Sequence, residues 1–169
     1  ARQMAGGSAC FIDKMPANYM YCGVIHRALP KAKIIHLVRD SLDTCYAVFK
    51  TLFFNAYEFS YDLDELADYY IAYRKMMRHW HEVMPDVILD VRYEDLVTDP
   101  EGQSRRIYEW CGLEWTPAAL DVPDQKKVFA TASAAQVREP VHARSVGSSR
   151  KHLHRLAPLV EKLQRSGFY

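Results

Sequence analysis

Short apolar runs alternate with helix-like patterns along the chain. Residues 9–13, 33–38 and 87–91 are short runs rich in apolar and β-branched side chains, which predicts three strands. The run at 33–38 is continuous, as is typical of a strand buried on both faces. Helical patterns at about 17–29 and 42–54 separate these runs. Strands that alternate with helices pair in parallel through right-handed crossovers, so we expect an α/β sheet with helices on both faces.

The strongest helix prediction covers residues 63–81. Apolar side chains recur there every three or four residues and form a single stripe: Leu63, Leu66, Tyr70, Tyr73, Met77 and Trp80. Asp62, with Glu65 three residues later, has the pattern of a capping box at the start of the helix. The stripe favours packing in a core over a surface on which bases stack.

Two further helices flank a long segment without periodicity. Asp99 and Pro100 predict the start of one helix, and Gly112 predicts its end. The other covers about 157–165. Between them, residues 121–149 show no regular pattern, and such a long irregular segment is uncommon in a compact domain unless it is functional.

Composition narrows the class of protein. The chain has 169 residues, of which 49% are hydrophobic and 25% charged, so we expect one globular domain over residues 1–169. The formal net charge of +1 argues against a general binder of nucleic acids. No apolar run approaches the ~18 residues of a membrane span, and no signal peptide is visible. The four cysteines lack metal-site spacing, so we expect no metal and reduced thiols in the cytoplasm.

Basic and aromatic residues follow the ends of the predicted strands. Lys14 follows the first strand, Arg39 the second and Tyr93 the third. Ligands of an open parallel sheet lie beyond the carboxyl ends of its strands, where an arginine beside free helical N–H groups can hold a phosphate. Each residue also has a structural alternative. Arg39 can pair with Asp40 or Asp43 within its turn, Lys14 can be a surface lysine, and Tyr93 can pack over a turn.

A second basic cluster lies in the aperiodic segment. Its basic residues are Arg138, Arg144, Arg150 and Lys151, and they are interleaved with the small residues Ser133, Ser145 and Gly147. Small residues let the backbone approach an anion, and guanidinium groups supply charge-assisted hydrogen bonds. The alternative is a solvated basic loop.

Together these motifs resemble the sulfotransferase family. The runs are FIDKMPAN at 11–18, LPKAKIIHLVRD at 29–40, RYEDL at 92–96, TAS at 131–133, QVREP at 136–140 and RSVG at 144–147. The greatest likeness is to bacterial proteins that carry a sulfotransferase domain after tetratricopeptide repeats, which are related to tyrosylprotein sulfotransferases. It spans roughly residues 11–169.

The resemblance implies a P-loop-like fold and transfer of a sulfuryl group from 3′-phosphoadenosine 5′-phosphosulfate (PAPS) to a hydroxyl or phenol. Arg39 would then grip the 3′-phosphate, Tyr93 would contact the adenosine, and Lys14 would neutralise charge near the bridging oxygen. Three residues of the aperiodic segment would close over the phosphates: Ser133, Arg144 and Ser145. The acceptor would be a small molecule or a peptide, and residues 55–61, rich in aromatic side chains, are a candidate wall of its pocket.

Two positions depart from the family pattern. Ala47 stands where the family has a serine that donates to the 3′-phosphate, and Ser41 stands where it has a proline. Loss of one hydrogen bond to a charged group costs about 1.5–3 kcal/mol, so we expect a weakened 3′-phosphate site unless Lys50 compensates.

No run matches the phosphosulfate-binding loop of the family. Residues 6–8 lack both a preceding strand and the G-x-x-x-x-G-K-[ST] spacing. The glutamate base of the related enzymes would fall before Ala1, and none of the seven histidines is a convincing substitute. We therefore expect the carboxyl-terminal part of a sulfotransferase domain that lacks its first strand. The alternative is a catalytically silent nucleotide-binding or interaction module of the same fold.

Overall fold

The computed structural model describes residues 10–53, 56–121 and 142–169. The helices and strands of this part follow in the order α1 (Cys22–Ala28), β1 (Ile34–Val38), α2 (Ser41–Phe49), α3 (Leu63–Val83), β2 (Ile88–Arg92), α4 (Tyr93–Thr98), α5 (Pro100–Cys111) and α6 (Ala157–Ser166). Short 3-10 helices occupy Pro16–Tyr21, Glu58–Tyr61, Pro117–Leu120 and Arg150–Arg155.

β1 and β2 form a parallel pair with helices beside it, so the predicted α/β fold is confirmed. The register runs from Ile34 opposite Ile88 to Val38 opposite Arg92. Because a parallel pair needs a long crossover, the chain between these strands carries α2 and α3.

The strand predicted at residues 9–13 is wrong over its described part. Residues 10–13 have no regular secondary structure, and Ile12 is 94% exposed. An apolar run becomes a strand only where a neighbour supplies ladder hydrogen bonds, and no strand of the described ranges pairs with this run.

Two predicted helices differ from the structure. The helix expected from residue 17 begins as the 3-10 helix at Pro16 and becomes α-helical at Cys22. The helix α2 ends at Phe49 rather than near residue 54. Its ladder stops because Thr51 N donates to Val48 O, a three-residue bond that tightens the last turn.

The long helix α3 connects two apolar clusters, as its stripe predicts. Asp62 caps it by accepting hydrogen bonds from Asp64 N (2.8 Å) and Glu65 N (3.0 Å). One cluster packs α3 against α2 and α6, with Leu42, Cys45, Leu66, Ala67, Tyr70, Ile71, Leu156, Leu159 and Leu163 buried. The other packs it against α1 and the sheet through Cys22, Met77 and Ile88. The sheet is therefore held in place from the side of α3.

The ends of α5 and α6 are also close to prediction. Asp99 accepts a hydrogen bond from Gly102 N (2.9 Å), and Gly112 ends α5 with a φ of 67°. The helix α6 covers Ala157–Ser166, one residue longer than predicted.

In the described ranges, no helix is both long and apolar enough to cross a membrane.

Candidate functional site

The carboxyl ends of β1 and β2 lie side by side. Val38 is opposite Arg92 in the register, so the next residues, Arg39 and Tyr93, are neighbours. The Arg39 guanidinium lies over the Tyr93 ring, with 4.9 Å from Cζ to the ring centroid. Glu94 Oε1 accepts a hydrogen bond from Asp40 N (2.9 Å) and ties the two strand ends together.

Ser145 reaches the same place from the far end of the chain. Arg39 Nη2 donates a 2.5 Å hydrogen bond to Ser145 O, although 106 residues separate them. The Tyr93 hydroxyl donates to His142 O at 3.4 Å. The structure thus brings together three residues predicted for nucleotide binding: Arg39, Tyr93 and Ser145.

Asp43 organises the loop that carries Ser145. Its side chain is 1% exposed, and it accepts hydrogen bonds from Gly147 N (2.6 Å), Ser149 N (2.8 Å) and Ser148 Oγ (3.4 Å). Burial, the largest influence, raises the pKa of Asp43. Hydrogen bonds from Ser149 and Gly147 and the charge of Arg39 outweigh it, so the pKa lies below its usual value.

The guanidinium of Arg39 is only partly satisfied by these contacts. Its Nη2 lies 3.7 Å from Asp43 Oδ2, so the pairing that was the alternative to phosphate binding is present. Its Nε is buried and has no hydrogen-bond partner among the described residues. Buried polar groups are nearly always paired, so this N–H is available to an acceptor that the described residues do not supply.

Several basic residues follow the loop at 145–149 that Asp43 holds, in the 3-10 helix Arg150–Arg155. The His152 ring stacks on Tyr46 of α2 at 4.9 Å, and Lys50 Nζ lies 5.0 Å from the centre of the same Tyr46 ring. Desolvation is the largest influence that lowers the pKa of His152, followed by the charges of Lys151, Arg155, His154 and Lys50. These groups form a basic patch next to α2, which favours an anionic ligand.

Comparison with known proteins decides the family. The model of the sulfotransferase family matches residues 1–117. This chain belongs to the sulfotransferase family. An uncharacterised protein of Aquifex aeolicus is 33% identical over 156 residues, which cover 90% of this chain and 20% of that protein. The omega-hydroxy-beta-dihydromenaquinone-9 sulfotransferases of Mycobacterium bovis and Mycobacterium tuberculosis are each 33% identical over 110 residues, covering 60% of this chain. The chain spans 28% of the length of these mycobacterial sulfotransferases.

In the described part of the chain, two other residues predicted for the sulfotransferase site, Lys14 and Ala47, make no hydrogen bond or ion pair with Arg39. Ala47 is half-buried on α2, one turn beyond Asp43, and its carbonyl accepts from Thr51 Oγ1 (2.7 Å). Arg144 is exposed beside Ser145. Lys14 is exposed and makes no hydrogen bond or ion pair with another described residue. Ser133 and Arg138 lie outside the described residues. The roles of all five stay predictions.

An aromatic cluster occupies the segment predicted as an acceptor wall. Phe59 stacks on Tyr69 of α3 with 3.9 Å between ring centroids, and Tyr57 lies edge-on to Phe59 at 5.9 Å. Residues 54 and 55 are outside the described ranges. Since Phe59 also packs against the core of α2, α3 and α6, this segment is anchored to the fold.

Two features of the sulfotransferase chain were missed from sequence. The first is the contact of Asp43 with the Gly147 loop, for which the only signal is an acid in the first turn of a helix. The second is a cluster in which Asp90 Oδ1 lies 2.7 Å from His36 Nδ1 and 3.2 Å from His81 Nε2. The strand register puts His36 opposite Asp90, and aligning the two predicted strands is the step that would have found them.

Proposed function

We propose that this sulfotransferase-family chain binds PAPS at the ends of β1 and β2 and takes part in sulfuryl transfer to a hydroxyl or phenol. The observation that carries the proposal is the buried Arg39 Nε, which has no hydrogen-bond partner among the described residues and lies beside the Tyr93 ring. A phosphate oxygen is the natural acceptor for a guanidinium in such a place.

The residues around Arg39 fit a nucleotide that carries a 3′-phosphate. Asp40 caps α2 by accepting from Asp43 N (2.8 Å). The N–H groups of the first helical turn have no acceptor within the helix, so those of Ser41 and Leu42 can donate to a ligand. Together with Arg39, these N–H groups form an anion site at a helix start. Tyr93 offers a ring to the adenosine, and Ser133, Arg144 and Ser145 would cover the phosphates.

Charge balance makes the basic patch part of this proposal. The negative charge of Asp43 offsets the single positive charge of Arg39, so the pair by itself attracts an anion only weakly. The positive charge that attracts the anion then comes from Lys50 and Lys151, which both lie near enough to His152 to lower its pKa. Lys50 would in this way replace part of what the family's serine contributes where this chain has Ala47.

PAPS, when bound, supplies a sulfuryl group already activated by its bond to phosphate. This chain's own contribution is to orient the nucleotide and to place positive charge near the leaving phosphate, the role we propose for Lys14. We assign the proton-accepting base to no described residue. The mycobacterial relatives are named for a hydroxyl-bearing menaquinone, which supports a hydroxyl acceptor for this chain.

Transfer of radiolabelled sulfate by the whole protein tests this function. We expect label to pass from PAPS to at least one acceptor in a panel of alcohols, phenols and tyrosine peptides, with adenosine 3′,5′-bisphosphate as a competitive inhibitor. Adenosine 5′-phosphosulfate, which lacks the 3′-phosphate, should be a poor donor. Binding without transfer to any acceptor would instead favour the silent nucleotide-binding module. Failure to bind either bisphosphate or PAPS would contradict the proposal.

A further inference from the structure

Two histidines and an aspartate from three separate elements converge on one side of the sheet. His36 on β1 and Asp90 on β2 are directly opposite in the register, and His81 comes from the end of α3. Their ligand atoms all lie within 4.8 Å of one another. We propose that His36 Nδ1, His81 Nε2 and Asp90 Oδ1 form a zinc site that pins β1, β2 and α3 together.

The two distances from Asp90 are close to those around a tetrahedral ion. Zinc binds imidazole nitrogen and carboxylate oxygen at about 2.0–2.2 Å, which places neighbouring ligand atoms roughly 3.3 Å apart. Asp90 Oδ1 lies 3.2 Å from His81 Nε2 and 2.7 Å from His36 Nδ1. Binding of an ion therefore requires His36 and Asp90 to separate by a few tenths of an ångström. The ligand atoms of the two histidines, which lie within 4.8 Å of each other, must come to about the tetrahedral spacing.

The types of ligand atom indicate which metal ion this site would bind. Two imidazoles and one carboxylate, with a fourth position open, are ligands typical of zinc and its transition-metal neighbours. Calcium and magnesium prefer sites made of oxygen atoms alone. The cysteine spacing that argues against a zinc site in the sequence does not bear on this one, because its ligands are contributed by three distant segments.

A hydroxyl supports the more buried histidine. His36 Nε2 is within hydrogen-bond distance of the Tyr73 hydroxyl on α3. A metal-binding histidine almost always donates its second ring N–H to an oxygen acceptor, usually a carboxylate, a carbonyl or a water, which fixes the tautomer and the ring orientation. The Tyr73 hydroxyl oxygen can take that place for His36. The Tyr73 ring packs edge-on against the rings of Tyr19 and Tyr70, with 5.1 Å and 5.6 Å between ring centroids. Tyr73 is thus a positioning residue for His36.

An ion can enter from solvent. The side chains of Asp90 and His81 are 47% and 37% exposed, whereas that of His36 is 12% exposed. Asp90 also lines an open cleft of about 520 Å³ with Val38, Arg92, Asp95, Gln103 and Arg106. The site therefore has one mostly covered ligand, two that solvent reaches, and the entry path that a metal site requires.

Calorimetric titration of the metal-stripped whole protein with zinc chloride tests the site, with cobalt(II) as a spectroscopic probe. We expect one ion per chain, a rise in Tm and the absorption bands of four-coordinate cobalt. Asp90→Asn and His81→Asn should each abolish these signals. Tyr73→Phe should lower zinc affinity about 10- to 100-fold, because it removes only the outer partner of a ligand.

His79→Asn is the matched control, since His79 is exposed on the same helix and its ring packs beside Trp80 at 5.1 Å. It should bind zinc as the wild type does, and circular dichroism should show that every variant is folded. The proposal is overturned if the wild type shows no saturable zinc binding. It is also overturned if folded His81→Asn or Asp90→Asn binds as tightly as His79→Asn.

Discussion

The carboxylate of Asp43 accepts a 2.6 Å hydrogen bond from the backbone N–H of Gly147, 104 residues further along the chain. This contact, with that from Ser149 N, anchors the loop at 145–149 on the first turn of α2. Arg39 is held between the same carboxylate and Ser145 O. The proposed 3′-phosphate site is therefore assembled around Asp43 rather than around Arg39 alone.

Replacement of this carboxylate tests that arrangement. Asp43→Asn keeps the size of the side chain but removes its charge, and it should lower the free energy of unfolding by about 1.5–3 kcal/mol. Urea denaturation followed by circular dichroism measures the change. Glu114→Gln, at an exposed residue, is the control and should leave stability unaltered. Wild-type stability in Asp43→Asn would mean that the loop is held by other contacts.

Asp43 also predicts a dependence on pH. Its pKa is lower in the folded chain than its unfolded value of about 3.9, so its ionised form stabilises the fold above that pH. This stabilisation is lost as the pH falls through the lower, folded pKa. When the pH is lowered from 6 to below the folded pKa of Asp43, the free energy of unfolding should therefore fall less in Asp43→Asn than in the wild type. Parallel stability curves for the two proteins would contradict the assignment.

The loop needs glycine at position 147. Gly147 has a φ of 70°, and a Cβ there would lie 3.3 Å from Arg150 Nε. A left-handed conformation costs a residue with a Cβ roughly 1–2 kcal/mol, so Gly147→Ala should be destabilised by about that amount and should bind adenosine 3′,5′-bisphosphate more weakly. Gly112→Ala has a similar φ of 67° but open space around it, and it should lose stability without losing affinity. Equal affinities of the two variants for the bisphosphate would show that the loop around Gly147 does not contribute to the nucleotide site.

Local pattern was sufficient to predict much of this fold. The stripe and the Asp62 cap identify α3. The strands predicted at 33–38 and 87–91 lie within one residue of the observed β1 and β2, so the neighbouring positions of Arg39 and Tyr93 follow from parallel pairing. Residues 10–13 show the limit, because a strand depends on a partner that local pattern does not reveal. The contact of Asp43 with Gly147 joins distant segments, and no periodicity encodes it. The contact of His36 with Asp90 follows from the strand register, but the approach of His81 to the same carboxylate does not.

Position 47 offers a gain of function. Ala47 lies one helical turn beyond Asp43, where the family has a serine. Ala47→Ser should add a donor to the 3′-phosphate and tighten binding of adenosine 3′,5′-bisphosphate several-fold in calorimetry. Ala118→Ser, at an exposed residue, should change nothing. Flat or weaker binding in Ala47→Ser would show that this position does not face the nucleotide.

Lys14 is predicted to act on the transferring group and not on nucleotide affinity. In the whole protein, Lys14→Ala should lower kcat by about 100-fold or more, as removal of one donor to a developing charge does. The affinity for adenosine 3′,5′-bisphosphate should change little. Lys31→Ala, at another exposed lysine, is the control. Unchanged turnover in Lys14→Ala would make Lys14 an ordinary surface residue.

The central claim is that Arg39 reads a 3′-phosphate, and a comparison of two ligands tests it most directly. Adenosine 3′,5′-bisphosphate and adenosine 5′-phosphate are titrated by calorimetry into the wild type, Arg39→Ala and the exposed control Arg165→Ala. Arg39→Ala should weaken the bisphosphate at least about tenfold, because a charged hydrogen bond is worth about 1.5–3 kcal/mol. Its affinity for the monophosphate should stay at the wild-type value. Bisphosphate affinity that is unchanged in folded Arg39→Ala, or that falls equally for both ligands, would contradict the account.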